Sequence, residues 1–148
     1  MISNDTVFMQ KAIELAKHAG SLDEVPVGAL VVRNGEIIAS AFNSREMDKN
    51  ALCHAEIKAI NEACAKLGGW RLVGCTLYVT LEPCPMCAGA IVNSRIERVV
   101  FGAYDAKAGS FGTMINLTEY PLFKPEIVGG VLKDECASLL SEFFKRKR

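Results

Sequence analysis

Cys84 and Cys87 form a C-x-x-C pair with Pro85 between them, just after the apolar run that ends at Leu81. Nothing else in the chain constrains the fold as tightly. Two thiols cannot complete a zinc site of three or four ligands, so a distant segment has to be brought to them. Proline suits the first turn of a helix, where its missing N–H is not needed. Pro85 in that position makes Cys84 the helix cap and places Cys87 in the first turn. Both sulfurs then sit at the positive end of a helix dipole, which lowers thiol pKa and favours thiolates. The plainer readings are a redox dithiol or two buried cysteines.

The distant segment is His54-Ala55-Glu56, which holds one of only two histidines. Residues two apart on a helix point to opposite flanks, so they cannot share a site on its side. They can converge beyond its N-terminus, because side chains tilt toward that end. Two helices are therefore expected to aim their N-termini at one metal. His54, Cys84 and Cys87 give three protein ligands and leave a fourth position for water, the catalytic pattern. Zinc lowers the pKa of such a water from about 15.7 toward about 7. Glu56 is placed to take that proton and pass it on. Ammonia leaving an amidine-like carbon fits this arrangement. A surface helix residue is the plainer reading of Glu56. Cys53 is the alternative fourth ligand, although adjacent residues on a regular helix rarely reach one metal together. Cys64, Cys75 and Cys136 read as core, and His18 as a solvated residue on a polar helix face.

The bulk numbers narrow the setting. At 148 residues, half of them hydrophobic, residues 1–148 are expected to form one domain. Seventeen basic and seventeen acidic side chains balance. That excludes a strong, sequence-independent nucleic-acid binder but leaves room for a local basic patch. Lys145-Arg146-Lys147-Arg148 is one candidate; favourable charge at a helix C-terminus is the other reading of that run. Met1-Ile2-Ser3-Asn4-Asp5 lacks the basic start and apolar block of a signal peptide, and no apolar run is long enough to span a membrane. The expectation is a soluble, cytoplasmic protein with reduced or metal-bound cysteines.

Periodicity supplies the elements. Residues 5–19 read as a helix with Phe8, Ala12, Leu15, Ala16 and Ala19 inward and Gly20 as its stop. Val27–Val32 and Glu36–Phe42 read as strands joined by an Asn34-Gly35 hairpin turn. A loop follows, then a helix from about Asn50 to Leu67 with Ile57, Ile60, Cys64 and Leu67 on its inner face. Cys75–Leu81 is a strand, Pro85 to about Arg95 a short helix, and Arg98–Gly102 a strand. Glu126–Gly129 is a weak fifth strand. The last helix carries Leu132, Cys136, Leu139, Leu140 and Phe143 on one face. The fold expected is a three-layer α/β/α sandwich around a mixed five-stranded sheet.

His54-Ala55-Glu56 and Pro83-Cys84-Pro85-Met86-Cys87 match the H-x-E…P-C-x-x-C signature of the zinc nucleobase deaminases. More specifically, the chain resembles the bacterial tRNA-specific adenosine deaminases over nearly its whole length. Glu24–Ala29, Leu77–Cys84, Met86–Ile91, Ser94–Ile96, Val99–Gly102, Asp105–Lys107 and Asp134–Cys136 carry the resemblance. It implies a cytidine-deaminase-like fold, one zinc ion per subunit and no organic cofactor. It also implies a homodimer that holds a tRNA anticodon stem-loop, and conversion of the wobble adenosine, chiefly of an arginine tRNA, to inosine. By position, His54, Cys84 and Cys87 hold zinc and Glu56 shuttles protons. Asn43 hydrogen-bonds the flipped base, Val27 walls the pocket and Asp105 meets the target nucleotide. Loop, core and cap are the plainer readings of those three. Phe111 has two readings: a ring that stacks on an unpaired base, or packing. Two rivals stand: a free guanine or cytosine deaminase on the same fold, and a zinc-stabilised module with four protein ligands and no use for Glu56.

Overall fold

Strands with near-continuous apolar sequence need cover on both faces, and this sheet has it. The computed structural model describes residues 4–147. Met1–Ser3 of the leader reading and Arg148 of the basic run lie outside them. In chain order the elements are α1 (Asn4–Ser21), β1 (Gly28–Arg33), β2 (Glu36–Phe42), α2 (Ala55–Leu67), β3 (Cys75–Leu81), α3 (Pro85–Asn93), β4 (Arg98–Ala103), β5 (Glu126–Val128) and α4 (Lys133–Arg146). A single 3-10 turn at Leu117–Glu119 was not foreseen. Among the described residues no helix is long and apolar enough to cross a membrane.

The five strands lie in the order β2-β1-β3-β4-β5. β1 runs antiparallel to β2 and β3, while β3, β4 and β5 run parallel. Asn34 and Gly35 both have positive φ (53° and 76°), the geometry of a two-residue turn between twisted strands. Side chains alternate between two cores, as the pleat requires. Ala29, Val31, Leu77, Val79, Val99 and Phe101 face the α2/α3 layer. Leu30, Val32, Tyr78 and Val100 face the α1/α4 layer. The three-layer sandwich with a mixed sheet is thus the observed fold.

Two helix faces differ from expectation. α1 buries Met9 and Ile13 with its alanines, while Phe8 and Leu15 lie at the margin. Each of those larger side chains contributes about 1.5–3 kcal/mol by leaving water. α2 buries Ala55, Ala59 and Ala63, with Ile60 and Glu56, and Cys64 and Leu67 only flank that stripe. Small side chains bring the helix axis close to the sheet, so size rather than hydropathy selects this face.

The layers leave one end of the sheet open for a site. β2, β3 and β4 end there and β1 begins there. At the α1/α4 side, Asp5 ties the start of α1 to the sheet. Arg98 of β4 donates to it twice (2.8 and 2.7 Å) and Tyr78 of β3 once (2.7 Å). The guanidinium holds the Asp5 carboxyl below its usual 3.8, and burial with the Asp5 hydrogen bond pushes the Tyr78 hydroxyl up to about 12.

Candidate metal centre and base-sized cavity

α2 begins at Ala55, not near Asn50. The Asn50 side chain accepts from the Leu52 amide at 2.9 Å, and a side chain that captures a nearby amide favours a turn over a helix. His54 therefore becomes the cap of α2, with extended backbone (φ −71°, ψ 152°). Cys84 caps α3 in the same way (φ −75°, ψ 173°), with Pro85 in the first turn. The two helices lie on one face of the sheet with these caps brought together.

His54 Nδ1 lies 3.6 Å from Cys84 Sγ and 3.5 Å from Cys87 Sγ. All three donor atoms fall within 4.8 Å of one another. A tetrahedral zinc with Zn–S of about 2.3 Å and Zn–N of about 2.0–2.1 Å places sulfur and nitrogen about 3.6 Å apart. The donor set fits zinc in spacing as well as in chemistry. Cys53 is not part of the group, so the fourth-ligand alternative gains no support. Cys75 and Cys136 are buried in the core, as expected. Cys64 is only partly buried.

Protons on the three donors are linked. A hydrogen bond from the Cys87 thiol, with help from His54, lowers the Cys84 thiol to about 4. The same bond, with burial, pushes Cys87 up, and the contact with Cys84 raises His54. A divalent cation at the shared point removes this competition by favouring deprotonation of both sulfurs.

Above the donors is a cavity of about 300 Å³. That is the small end of the roughly 300–1,000 Å³ typical of ligand pockets, room for one base but not for a stacked strand. Val27, Asn43, His54, Glu56, Cys84 and Asp105 all border it. Cys87 lies beneath, fully buried. Six of the seven residues singled out from sequence thus meet in one cavity, and the seventh, Cys87, adjoins His54.

Glu56 is 4% exposed. Burial pushes its carboxyl up to about 7; its own backbone amide and the Cys87 thiol are its hydrogen-bonding neighbours. Asn43, at the end of β2, donates through Nδ2 to the Val25 carbonyl at 3.2 Å. That fixes the amide plane and leaves its second N–H for the cavity. Asp105 does cap a turn: Oδ1 accepts from the Lys107 and Ala108 amides at 2.9 and 3.2 Å. Its second oxygen is outside that turn.

Some sequence readings change. Phe111 is 6% exposed and belongs to the core, because the loop around it folds back through a Phe111–Asn116 bridge. It cannot offer a face to a base. Phe144 of α4, which the sequence reading passed over, borders the cavity and is 47% exposed. In the basic run, Lys147 pairs with Asp23 and Arg146 leans on Phe143, so part of that charge serves the docking of α4. Glu24 and Glu82 were also missed. They are buried acids whose partners are backbone amides of loops far along the chain. A lone acid between an apolar run and a proline was the only signal for Glu82.

The profile of the family described as MafB19-like deaminase matches residues 3–148. The tRNA-specific adenosine deaminase of Bacillus subtilis (strain 168) is 54% identical, over 99% of this chain and 92% of that protein. A solved structure from work on A-to-I editing by tRNA:A34 deaminases at the wobble position of transfer RNA superposes with a TM-score of 0.88. It is 42% identical and covers 91% of this chain and 99% of that one. A guanine deaminase from Nitrosomonas europaea is more distant, at 27% identity and a TM-score of 0.78, over 91% of this chain and 81% of that one. The chain belongs to the MafB19-like deaminase family, and it is 54% and 46% identical to two tRNA-specific adenosine deaminases.

Proposed function

We propose that the chain, as one deaminase domain, converts adenosine to inosine at the wobble position of a tRNA anticodon, chiefly an arginine tRNA, and releases ammonia. The observation that carries this reading is a nearly buried Glu56 beside a His/Cys/Cys donor set on the floor of a base-sized cavity. His54, Cys84 and Cys87 would hold one zinc ion. When bound, zinc supplies hydroxide at neutral pH by acidifying water, and it does so where Glu56 can reach.

The chain's own groups do the rest. A Glu56 carboxylate oxygen takes the proton released by the attacking water. It delivers that proton to the ring nitrogen N1 as carbon C6 becomes tetrahedral, then takes the remaining proton of the new C6 hydroxyl and passes it to the exocyclic nitrogen as the C6–N6 bond breaks and ammonia leaves. Asn43 presents its remaining N–H to the base, held by its bond to Val25. Val27, 8% exposed, supplies an apolar wall for the ring. Asp105 meets the ribose or backbone of the target nucleotide through the oxygen that the turn does not use. A cavity this small admits only a flipped base, which favours an unpaired loop over a helix.

The protein works as a homodimer in the cytoplasm, where its substrate is. Exposed Met114, Ile115, Tyr120 and Leu122 between β4 and β5 supply apolar surface for a second copy.

The test is an anticodon stem-loop with adenosine at the wobble position, scored for inosine. We expect conversion there and none of the same sequence held in a duplex. Ammonia from free guanine or cytosine, with no inosine in the stem-loop, would replace this reading with the free-base rival.

A further inference from the structure

Glu82 follows β3 and precedes Pro83-Cys84. It is 1% exposed and forms no ion pair among the described residues. All its side-chain partners come from one loop. Oε1 accepts from the Asp105 amide at 3.1 Å and from the Thr113 hydroxyl. Oε2 accepts from the Phe111 and Thr113 amides at 3.1 and 3.2 Å. Such donors are what a buried carboxylate requires.

Two further contacts tighten the wrap. A side chain at Gly109 would overlap the Glu82 carboxylate and come within 2.6 Å of the Asp105 carbonyl oxygen. Ser110 donates its amide to the Pro83 carbonyl at 2.9 Å. The 105–113 loop is therefore wound onto residues 82–83, which run straight into Cys84. From that loop, Asp105 and Ala108 border the cavity.

We propose that Glu82 is a positioning residue for the substrate. It fixes where the 105–113 loop stands relative to the Cys84 turn, so the wall that meets the nucleotide and the turn that holds a metal donor are one body. This rests on the proposed function, in which Asp105 meets the target nucleotide. Glu82 has both oxygens occupied by four donors. Its loss weakens substrate binding more than the chemistry of a bound base.

Glu82→Gln turns an NH₂ group toward amide donors and opens one side of the wrap. On the wobble-adenosine stem-loop KM is expected to rise about tenfold to a hundredfold, with kcat within about threefold of wild type. Zinc stays at one per chain. The amides of Asp105, Phe111 and Thr113 exchange faster with solvent, while those of β3 do not. Gly109→Ala keeps the carboxylate and displaces the loop from the other side. It should give the same KM signature and carries the test if Glu82→Gln does not fold. A folded variant with wild-type KM, a kcat loss at unchanged KM, or loss of zinc overturns the proposal. A wild-type protein inactive on the stem-loop overturns the proposed function itself, before any variant is compared.

Discussion

Glu56 and Glu82 border the same cavity, and both are almost completely buried, at 4% and 1% exposure. What differs is their company. Glu82 accepts from three loop amides and a hydroxyl, so its lone pairs are committed to holding backbone. Glu56 has its own amide and a thiol, and burial raises its carboxyl toward neutrality. Burial alone therefore does not mark a carboxylate for chemistry; the donors around it decide. A dry, sparsely bonded carboxylate can gain and lose a proton during a reaction, whereas one ringed with N–H groups is a clamp. Glu24 repeats the clamp on another loop. It is 1% exposed and accepts from the Glu46 and Met47 amides at 3.1 and 2.6 Å, which fixes the loop after Asn43.

The largest expected effect breaks the comparison on the chemical side. Glu56→Gln keeps the shape and removes the proton carrier. Its kcat should fall by about 10²–10⁴, the usual worth of a general acid–base group, while chelator assay still finds one zinc per chain. Next comes the far clamp. Glu24→Gln places NH₂ against two amide donors at a buried site. A loss of about 1.5–3 kcal/mol is expected, read from the urea midpoint at constant m-value.

The smallest effect concerns a carboxylate paired with a cation instead of amides. Arg98 lowers Asp5 below 3.8, so the pair contributes stability that is fully present above that pH. The contribution fades as pH falls through the lowered native value. Asp5→Asn should cost about 1 kcal/mol at pH 7, because the pair is partly solvated. The gap between the two thermal midpoints should narrow as pH falls below 3.8 and close once it has passed the lowered native value. A gap that does not narrow with falling pH would mean packing, not charge, holds α1 there.

Much of this was legible in the chain. Asn34-Gly35 specified its turn, β2 and β3 ran between the bounds read for them, and Pro85 marked the start of α3. The paired signatures at His54 and Cys84 located the cavity, because metal spacing forces distant segments together. Other parts depended on contacts that no local pattern encodes. Ala59 and Ala63 pack α2 against the sheet through smallness, which a search for large apolar residues misses. The start of α2 was lost to a single Asn50 side chain. Phe111, which had two readings from sequence, is packing: the wrap around Glu82 buries it. That wrap itself is invisible from sequence, since amides are present at every position and only the fold chooses three of them.

The most direct measurement runs Glu56→Gln and Glu82→Gln side by side on the wobble-adenosine stem-loop, with inosine and bound zinc counted in each sample as substrate is raised. The account predicts full zinc in both. It also predicts that saturating substrate restores inosine formation to Glu82→Gln and does nothing for Glu56→Gln. Rescue of Glu56→Gln by substrate, or failure to rescue a folded Glu82→Gln, would contradict the division of labour between the two buried carboxylates.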